Sequence, residues 1–264
     1  MAEKHRPADP ETVSVSKPVL ILLHGFLGSQ ADWSALIAAL PDIECIAIDL
    51  PGHGALKQAA IPSLAQFPNW LATELQHRGI SPRYHLLGYS LGGRLAMAFA
   101  ATNPAGLQSL IIENAHPGLI TDETKQQRAR NDAGWARRFY REPLPDVLAD
   151  WYQQPVFANL TANERRSLIA ARSLNSFTSL TTVLCRYSLA RQPDYRDWIK
   201  TTTTPVLYLC GTKDSKFQTV GQSLQATAPA LQLTLLPGGH NLHRATPDGM
   251  AQVIRHWLNT YSGH

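Results

Sequence analysis

The chain has 264 residues, 44% of them hydrophobic and 17% charged, with a formal net charge of +4. That is ordinary globular material, long enough for one sizeable α/β domain carrying an insertion. The positive charge is not gathered into a Lys/Arg run, which argues against a nucleic-acid or membrane surface.

Residues 1–16 are polar and proline-bearing and read as a loose arm, with no apolar core of the signal-peptide kind. Val19-Leu20-Ile21-Leu22-Leu23 is a short continuous apolar run, which fits a strand buried on both faces of a parallel sheet. It ends in His24-Gly25-Phe26-Leu27-Gly28, where glycines let the backbone turn an N–H inward and Phe26 would donate; a plain strand-to-helix turn is the other reading. Ser29 reads as an N-cap for a helix carrying Trp33, Leu36, Ile37 and Leu40 at helical spacing. Cys45-Ile46-Ala47-Ile48 is the next strand and runs into Asp49-Leu50-Pro51-Gly52-His53-Gly54. His53 has no second catalytic partner beside it and is assigned to loop-stabilising hydrogen bonds. A helix is expected over Pro62–Arg78, with Pro68 bending or delaying it.

An apolar run then ends in Gly88-Tyr89-Ser90-Leu91-Gly92, and a helical pattern, Leu95-Ala96-Met97-Ala98-Phe99-Ala100, follows. Gly-x-Ser-x-Gly between a strand and a helix has the form of a nucleophile elbow: the serine sits on a sharp, strained turn with its hydroxyl projecting above the sheet. The helix beginning at Leu91 aims its N-terminal N–H groups at negative charge developing near Ser90. Arg94 lies one helical turn beyond Ser90, hence near the site. A buried cation there is costly unless an anion meets it; the anion is either a ligand or one of the protein's own carboxylates.

Ser109–Glu113 is the following strand. Between about His116 and Asp197 little strand material remains. Helical pieces are expected near Glu123–Phe139, Leu144–Trp151, Ala162–Arg172 and Thr178–Leu189, forming a lid (116–197) inserted in a core made of 17–115 and 198–264. This stretch is rich in arginine and holds a single lysine, Lys125. Arginine's planar fork binds carboxylates bidentately, which lysine cannot do. Most of these arginines, among them Arg137, Arg138, Arg141 and Arg165, read as solvated helix faces. Two or three facing the sheet would suit a polyanionic ligand. The sheet resumes with Pro205–Cys210 and Gly211-Thr212-Lys213-Asp214, where an acid follows the serine and precedes a histidine. Leu231–Leu236 is the last strand, followed by Gly238-Gly239-His240-Asn241 and a terminal helix, Pro247–Tyr261. His243 competes with His240 for the role of base; His240 stands nearer the strand end and is preferred.

Strand–helix alternation with apolar strands implies a doubly wound, mostly parallel sheet with helices on both faces, whose ligands bind at the carboxyl ends of the strands. The cysteines Cys45, Cys185 and Cys210 are sparse and unpaired in pattern, as in reduced cytoplasmic proteins. No histidine spacing matches a zinc site, and no metal is expected. No apolar run approaches the ~18 residues of a membrane span.

On these residues the chain resembles the α/β-hydrolase superfamily and, within it, the 2-succinyl-6-hydroxy-2,4-cyclohexadiene-1-carboxylate synthase family of menaquinone biosynthesis. The widely shared stretches are His24-Gly25-Phe26 and the elbow. The more specific ones are Trp151-Tyr152-Gln153-Gln154-Pro155-Val156-Phe157, the arginine after the elbow, and Asp214-Ser215-Lys216-Phe217. The resemblance covers nearly everything after residue 17. It departs at Ala55, where many relatives have serine, and leaves the N-terminal arm unexplained. It implies a cofactor-independent lyase that eliminates pyruvate from an enolpyruvyl-cyclohexene tricarboxylate. It also implies Ser90, Asp214 and His240 as the catalytic triad, with Phe26 and Leu91 N–H groups as the oxyanion hole. Arg94, Arg128 and Arg172 would then meet substrate carboxylates, and Tyr89 and Trp151 would line the pocket. A monomer acting on a small tricarboxylate, without nucleic acid or membrane, is the accompanying expectation. A serine hydrolase using Ser90 as nucleophile and a non-catalytic binding protein are the alternatives. The ordered triad argues against the second and the arginines against the first.

Overall fold

The structure is a computed structural model and describes residues 17–80, 83–228 and 230–261; the N-terminal arm expected over 1–16 lies outside them. In chain order the regular elements are β1 (Val19–Leu23), α1 (Ser34–Ala38), β2 (Glu44–Ile48), α2 (Phe67–His77), β3 (Tyr84–Tyr89), α3 (Leu91–Ala100) and β4 (Leu107–Glu113). Then come α4 (Asp122–Arg141), α5 (Leu144–Trp151), α6 (Ala162–Arg172), α7 (Phe177–Arg186) and α8 (Arg196–Thr201). The sheet resumes with β5 (Val206–Gly211), α9 (Ser215–Thr227) and β6 (Leu231–Leu236), and the chain ends with α10 (Leu242–Ala245) and α11 (Pro247–Tyr261).

The six strands form one sheet in the order β2-β1-β3-β4-β5-β6. Every neighbouring pair is parallel. Strand alternation divides the core in two. Ile21, Leu23, Leu86, Leu110, Ile112 and Tyr208 face α2, α3, α8 and α9. Leu20, Leu22, Leu87, Ile111, Leu207 and Leu209 face α1 and α11. Helices on both sides therefore cover strands that read as uniformly apolar, and every strand end that carries chemistry opens on one edge of the sheet. The helices between β4 and β5 have a smaller core of their own, built on Phe139, Val147, Leu148, Leu168 and Leu180, and Leu27 of the loop after β1 packs into it. That contact brings the helical segment over the strand ends. No helix among the described residues is long and apolar enough to cross a membrane.

Several elements differ from their sequence expectation, among them three that bear on the site. Helix α2 starts at Phe67 rather than Pro62, with Pro68 in its first turn, because a proline without an N–H fits only where that donor would be idle. Helix α9 was not expected. Its N-cap is Asp214, whose side chain accepts the Phe217 N–H at 3.3 Å, so the acid that follows β5 also starts the helix. The short α8 follows the helical segment and was likewise not read from the pattern.

Candidate active site

The site begins at the turn between β3 and α3. Ser90 has φ 49° and ψ −106°, outside the regions open to ordinary L-residues. The flanking glycines are forced. A Cβ on Gly88 would lie 2.4 Å from the Gly92 carbonyl oxygen, and one on Gly92 would lie 2.1 Å from that of Leu23. The Ser90 N–H donates to the Glu113 carbonyl at 2.9 Å, which ties the turn to β4.

His240 arrives on the loop after β6 and Asp214 on the loop after β5. The Ser90 hydroxyl lies 3.3 Å from His240 Nε2, and His240 Nδ1–H donates to Asp214 Oδ2 at 2.7 Å. An ionised carboxylate can only accept, so it fixes the imidazole tautomer with Nε2 free to take the serine proton. Asn114 Nδ2 donates to the His240 carbonyl at 2.8 Å, and the ring packs against Phe217 at 4.9 Å and Tyr89 at 5.3 Å. His243, the competing histidine, is turned away: its Nδ1–H donates to the buried Glu113 carboxylate at 2.8 Å.

Phe26 and Leu91 both line the pocket beside Ser90. Leu91 opens α3 and its N–H has no acceptor one turn earlier in the helix. The loop carrying Phe26 is held by the loop after β2. His24 Nε2 accepts the Leu50 N–H at 3.0 Å, and His53 Nε2 accepts the Leu27 N–H at 3.2 Å. Asp49 accepts the N–H groups of Gln30 at 2.7 Å and Ala55 at 2.9 Å. Burial holds His53 well below its ordinary pKa and so neutral, as an acceptor must be. His53 thus serves the loop.

Above Ser90 is a cleft. Its cationic side chains are Arg94, Arg128 and Lys216, and Trp151 closes it against Phe26 at 5.1 Å. Arg94 is 9% exposed, and its guanidinium meets only neutral acceptors among the described residues, the Tyr187 carbonyl at 2.7 Å and Gln192 Oε1 at 3.1 Å. Burial, reinforced by the like charge of Arg128, pulls its pKa down to about 9. Asp132 in the same wall opposes that shift from a distance, but the guanidinium makes no hydrogen bond to it. Arg128 donates Nε–H to Asp132 Oδ1 at 2.8 Å, and Asp132 also accepts from Ser188 Oγ at 2.6 Å. Burial and the surrounding cations, Arg196 first, push His116 in the same wall down to about 4, so it is neutral.

Two residues that the resemblance assigned to this pocket are not among those lining the cleft above Ser90. Arg172 donates from Nη2 to both carboxylate oxygens of Asp32 at 2.7 Å, in a pair whose side chains are 9% and 10% exposed. Burial alone would push both groups toward neutrality. Their mutual attraction outweighs it, holding Asp32 below and Arg172 above their ordinary values. A buried arginine beside a buried carboxylate pairs with it, so Arg172 is outside the pocket lining and already compensated. Tyr89 is also absent from the lining. It shares the parity of Leu87, which turns it to the α1/α11 side of the sheet, beneath Gly25 and between His240 and His243. Lys216, Gln192, Asn114 and Asp132 were not anticipated as members of the site. Lys216 and Asn114 left a trace, inside the Asp214–Phe217 and Glu113–Leu119 runs that carry the resemblance, without a role assigned to either.

The chain matches the family model of the alpha/beta hydrolase fold over residues 18–244. It is 44% identical over 241 residues to a 2-succinyl-6-hydroxy-2,4-cyclohexadiene-1-carboxylate synthase of Klebsiella pneumoniae, covering 90% of this chain and 94% of that one. It is 42% identical over 248 residues to the synthase of that name from Pectobacterium atrosepticum, covering 94% and 96%. Among solved structures, that of MenH from S. aureus superposes with a TM-score of 0.86 at 24% identity, over 95% of this chain and 97% of that one. A thermophilic esterase from Thermogutta terrifontis, with malate bound, superposes with a TM-score of 0.76 at 23% identity, over 93% and 90%. At these identities the two structures attest the fold.

Proposed function

The chain belongs to the 2-succinyl-6-hydroxy-2,4-cyclohexadiene-1-carboxylate synthase family, on the α/β-hydrolase fold, and we propose that its Ser90 acts as a base in the elimination that gives this family its product. The substrate is 2-succinyl-5-enolpyruvyl-6-hydroxy-3-cyclohexene-1-carboxylate, and the products are the cyclohexadiene and pyruvate. The observation that carries the reading is Arg94: a buried cation one helical turn from Ser90, facing the pocket, whose guanidinium hydrogen-bonds to a carbonyl and an amide and, among the described residues, to no carboxylate.

His240, oriented by Asp214, draws the proton of Ser90 and makes its oxygen basic. The 3.3 Å contact from Ser90 to His240 is of the length that tightens when a ligand excludes water. Ser90 removes the ring proton next to the succinyl ketone, and the enolate oxygen sits against the N–H groups of Phe26 and Leu91. The enolate then collapses. A double bond forms between the deprotonated carbon and its ring neighbour, the ring alkene shifts by one position, and the bond to the enolpyruvyl oxygen breaks. The proton held by His240 is available to the departing enolate, which becomes pyruvate. Only protons and the electron pairs of the substrate's own bonds move, with no net oxidation or reduction, so the chemistry as written needs neither a metal nor an organic cofactor. Arg94 and Arg128 hold substrate carboxylates, and Trp151 shields the ring. The sparse, separated cysteines and the pathway support a cytoplasmic enzyme.

The test compares pyruvate release from the enolpyruvyl substrate with hydrolysis of a p-nitrophenyl ester by the same preparation. Pyruvate release should exceed ester hydrolysis by at least 10²-fold in kcat/KM, because a neutral ester offers nothing to Arg94. Ester hydrolysis that matches or exceeds pyruvate release would make the enzyme a hydrolase.

A further inference from the structure

Arg94 is held in place by groups that carry no charge. Its Nη2–H donates to the Tyr187 carbonyl at 2.7 Å and its Nη1–H to Gln192 Oε1 at 3.1 Å. Gln192 is itself only 2% exposed, and its Nε2–H donates to the His116 carbonyl at 3.0 Å. That second bond fixes the amide: with the nitrogen committed to a carbonyl, the oxygen must face the guanidinium. Deeply buried arginines ordinarily meet a carboxylate, as Arg172 does with Asp32 in this chain. Glutamate has the shape of glutamine and would place such a carboxylate against Arg94. The protein puts the neutral isostere there instead.

We propose that Gln192 is a specificity-determining positioning residue: it orients the Arg94 fork through a neutral hydrogen bond and so leaves the guanidinium charge for a carboxylate of the substrate. The inference rests on reading Arg94 as the carboxylate anchor and adds the condition under which that anchor works. A carboxylate at position 192 would neutralise Arg94 from within, and an incoming anion would meet a like charge in a site of low dielectric. An apolar side chain would cost orientation without adding repulsion.

Two variants separate these effects, Gln192→Glu and Gln192→Met, read by KM and kcat for pyruvate release and by melting temperature. Gln192→Glu should raise KM at least fivefold while kcat stays within about threefold of wild type, and Gln192→Met should raise KM by less. A residue that serves only the fold would lower the melting temperature of both variants and leave KM at the wild-type value, and that result overturns the proposal. So does a KM effect in Gln192→Met equal to or larger than that in Gln192→Glu. If Gln192→Glu yields no folded enzyme, because its carboxylate faces the His116 carbonyl, Gln192→Met decides alone: KM must rise at least twofold with kcat retained, and an unchanged KM overturns the proposal. Tricarballylate, a simple tricarboxylate, reads the anion site without turnover through the rise it causes in melting temperature, which should need at least fivefold more ligand in Gln192→Glu. A wild-type protein that tricarballylate stabilises but that releases no pyruvate defeats the proposed reaction and leaves this comparison standing. A wild-type protein that releases pyruvate, with Gln192→Glu at wild-type KM, defeats this inference alone.

Discussion

Ser90→Ala loses pyruvate-releasing activity by a factor on the order of 10³ or more. The size of the loss follows from how the site is assembled. Asp214 fixes the tautomer of His240 through a 2.7 Å bond, and the only use of the free Nε2 is the proton of Ser90, 3.3 Å away. Without the hydroxyl, His240 faces the ring across the space the oxygen occupied, too far to abstract the proton directly. The backbone donors at Phe26 and Leu91 stay in place, so a residue of catalysis persists, as happens when one member of a coupled set is removed. Alanine tolerates the φ of 49° about as well as serine does, so the fold should survive and the product should still bind. Steady-state turnover together with a product-binding titration checks this. Turnover near the wild-type rate removes Ser90 from the chemistry.

Arg94→Ala should lower kcat/KM by ten- to a hundredfold. A charge-assisted hydrogen bond contributes roughly 1.5–3 kcal/mol, and the fork can make two. Arg94→Lys should recover only part of the loss, since an ammonium keeps the charge without the planar pair of donors. The melting temperature should change little or rise in Arg94→Ala. The side chain's present partners are a carbonyl and an amide, and removing a buried charge whose desolvation outweighs the distant attraction of Asp132 relieves a penalty while leaving two neutral acceptors behind. Kinetics and melts of both variants decide it. If Arg94→Ala melts far below wild type and retains its kcat/KM, the arginine is structural and the carboxylate argument fails at its strongest point.

The parts of this site that were legible in the sequence are those that chain connectivity fixes. A glycine–serine–glycine turn between a strand and a helix can be read locally, because each glycine is demanded by backbone a few residues away or on the next strand. Asp214 and His240 follow apolar runs at strand ends, so their convergence on Ser90 follows from the parallel sheet alone. What did not show was contact between distant stretches. The partner of Arg172 is Asp32, 140 positions earlier, and nothing about either residue announces the other. Gln192 lies in an irregular segment without periodicity, and its two hydrogen bonds reach 98 and 76 positions back along the chain. Tyr89 is a different kind of case. Its parity with Leu87 places it on the far face, but a strand buried on both sides is apolar at every position, so alternation leaves no visible trace. Helix α9 was hidden for a related reason: its threonines and Gly221 are weak helix formers, and the helix rests on the Asp214 cap and on packing through Phe217 and Leu224.

The central claim is that Ser90 takes a proton and forms no bond to carbon. Mass spectrometry of the enzyme, acid-quenched during turnover of the enolpyruvyl substrate, tests it most directly. Elimination with Ser90 as base predicts protein of unmodified mass at every time point while pyruvate accumulates. A species heavier by a substrate-derived acyl group, mapping to Ser90 and turning over at the rate of pyruvate release, would contradict that claim and make Ser90 a nucleophile.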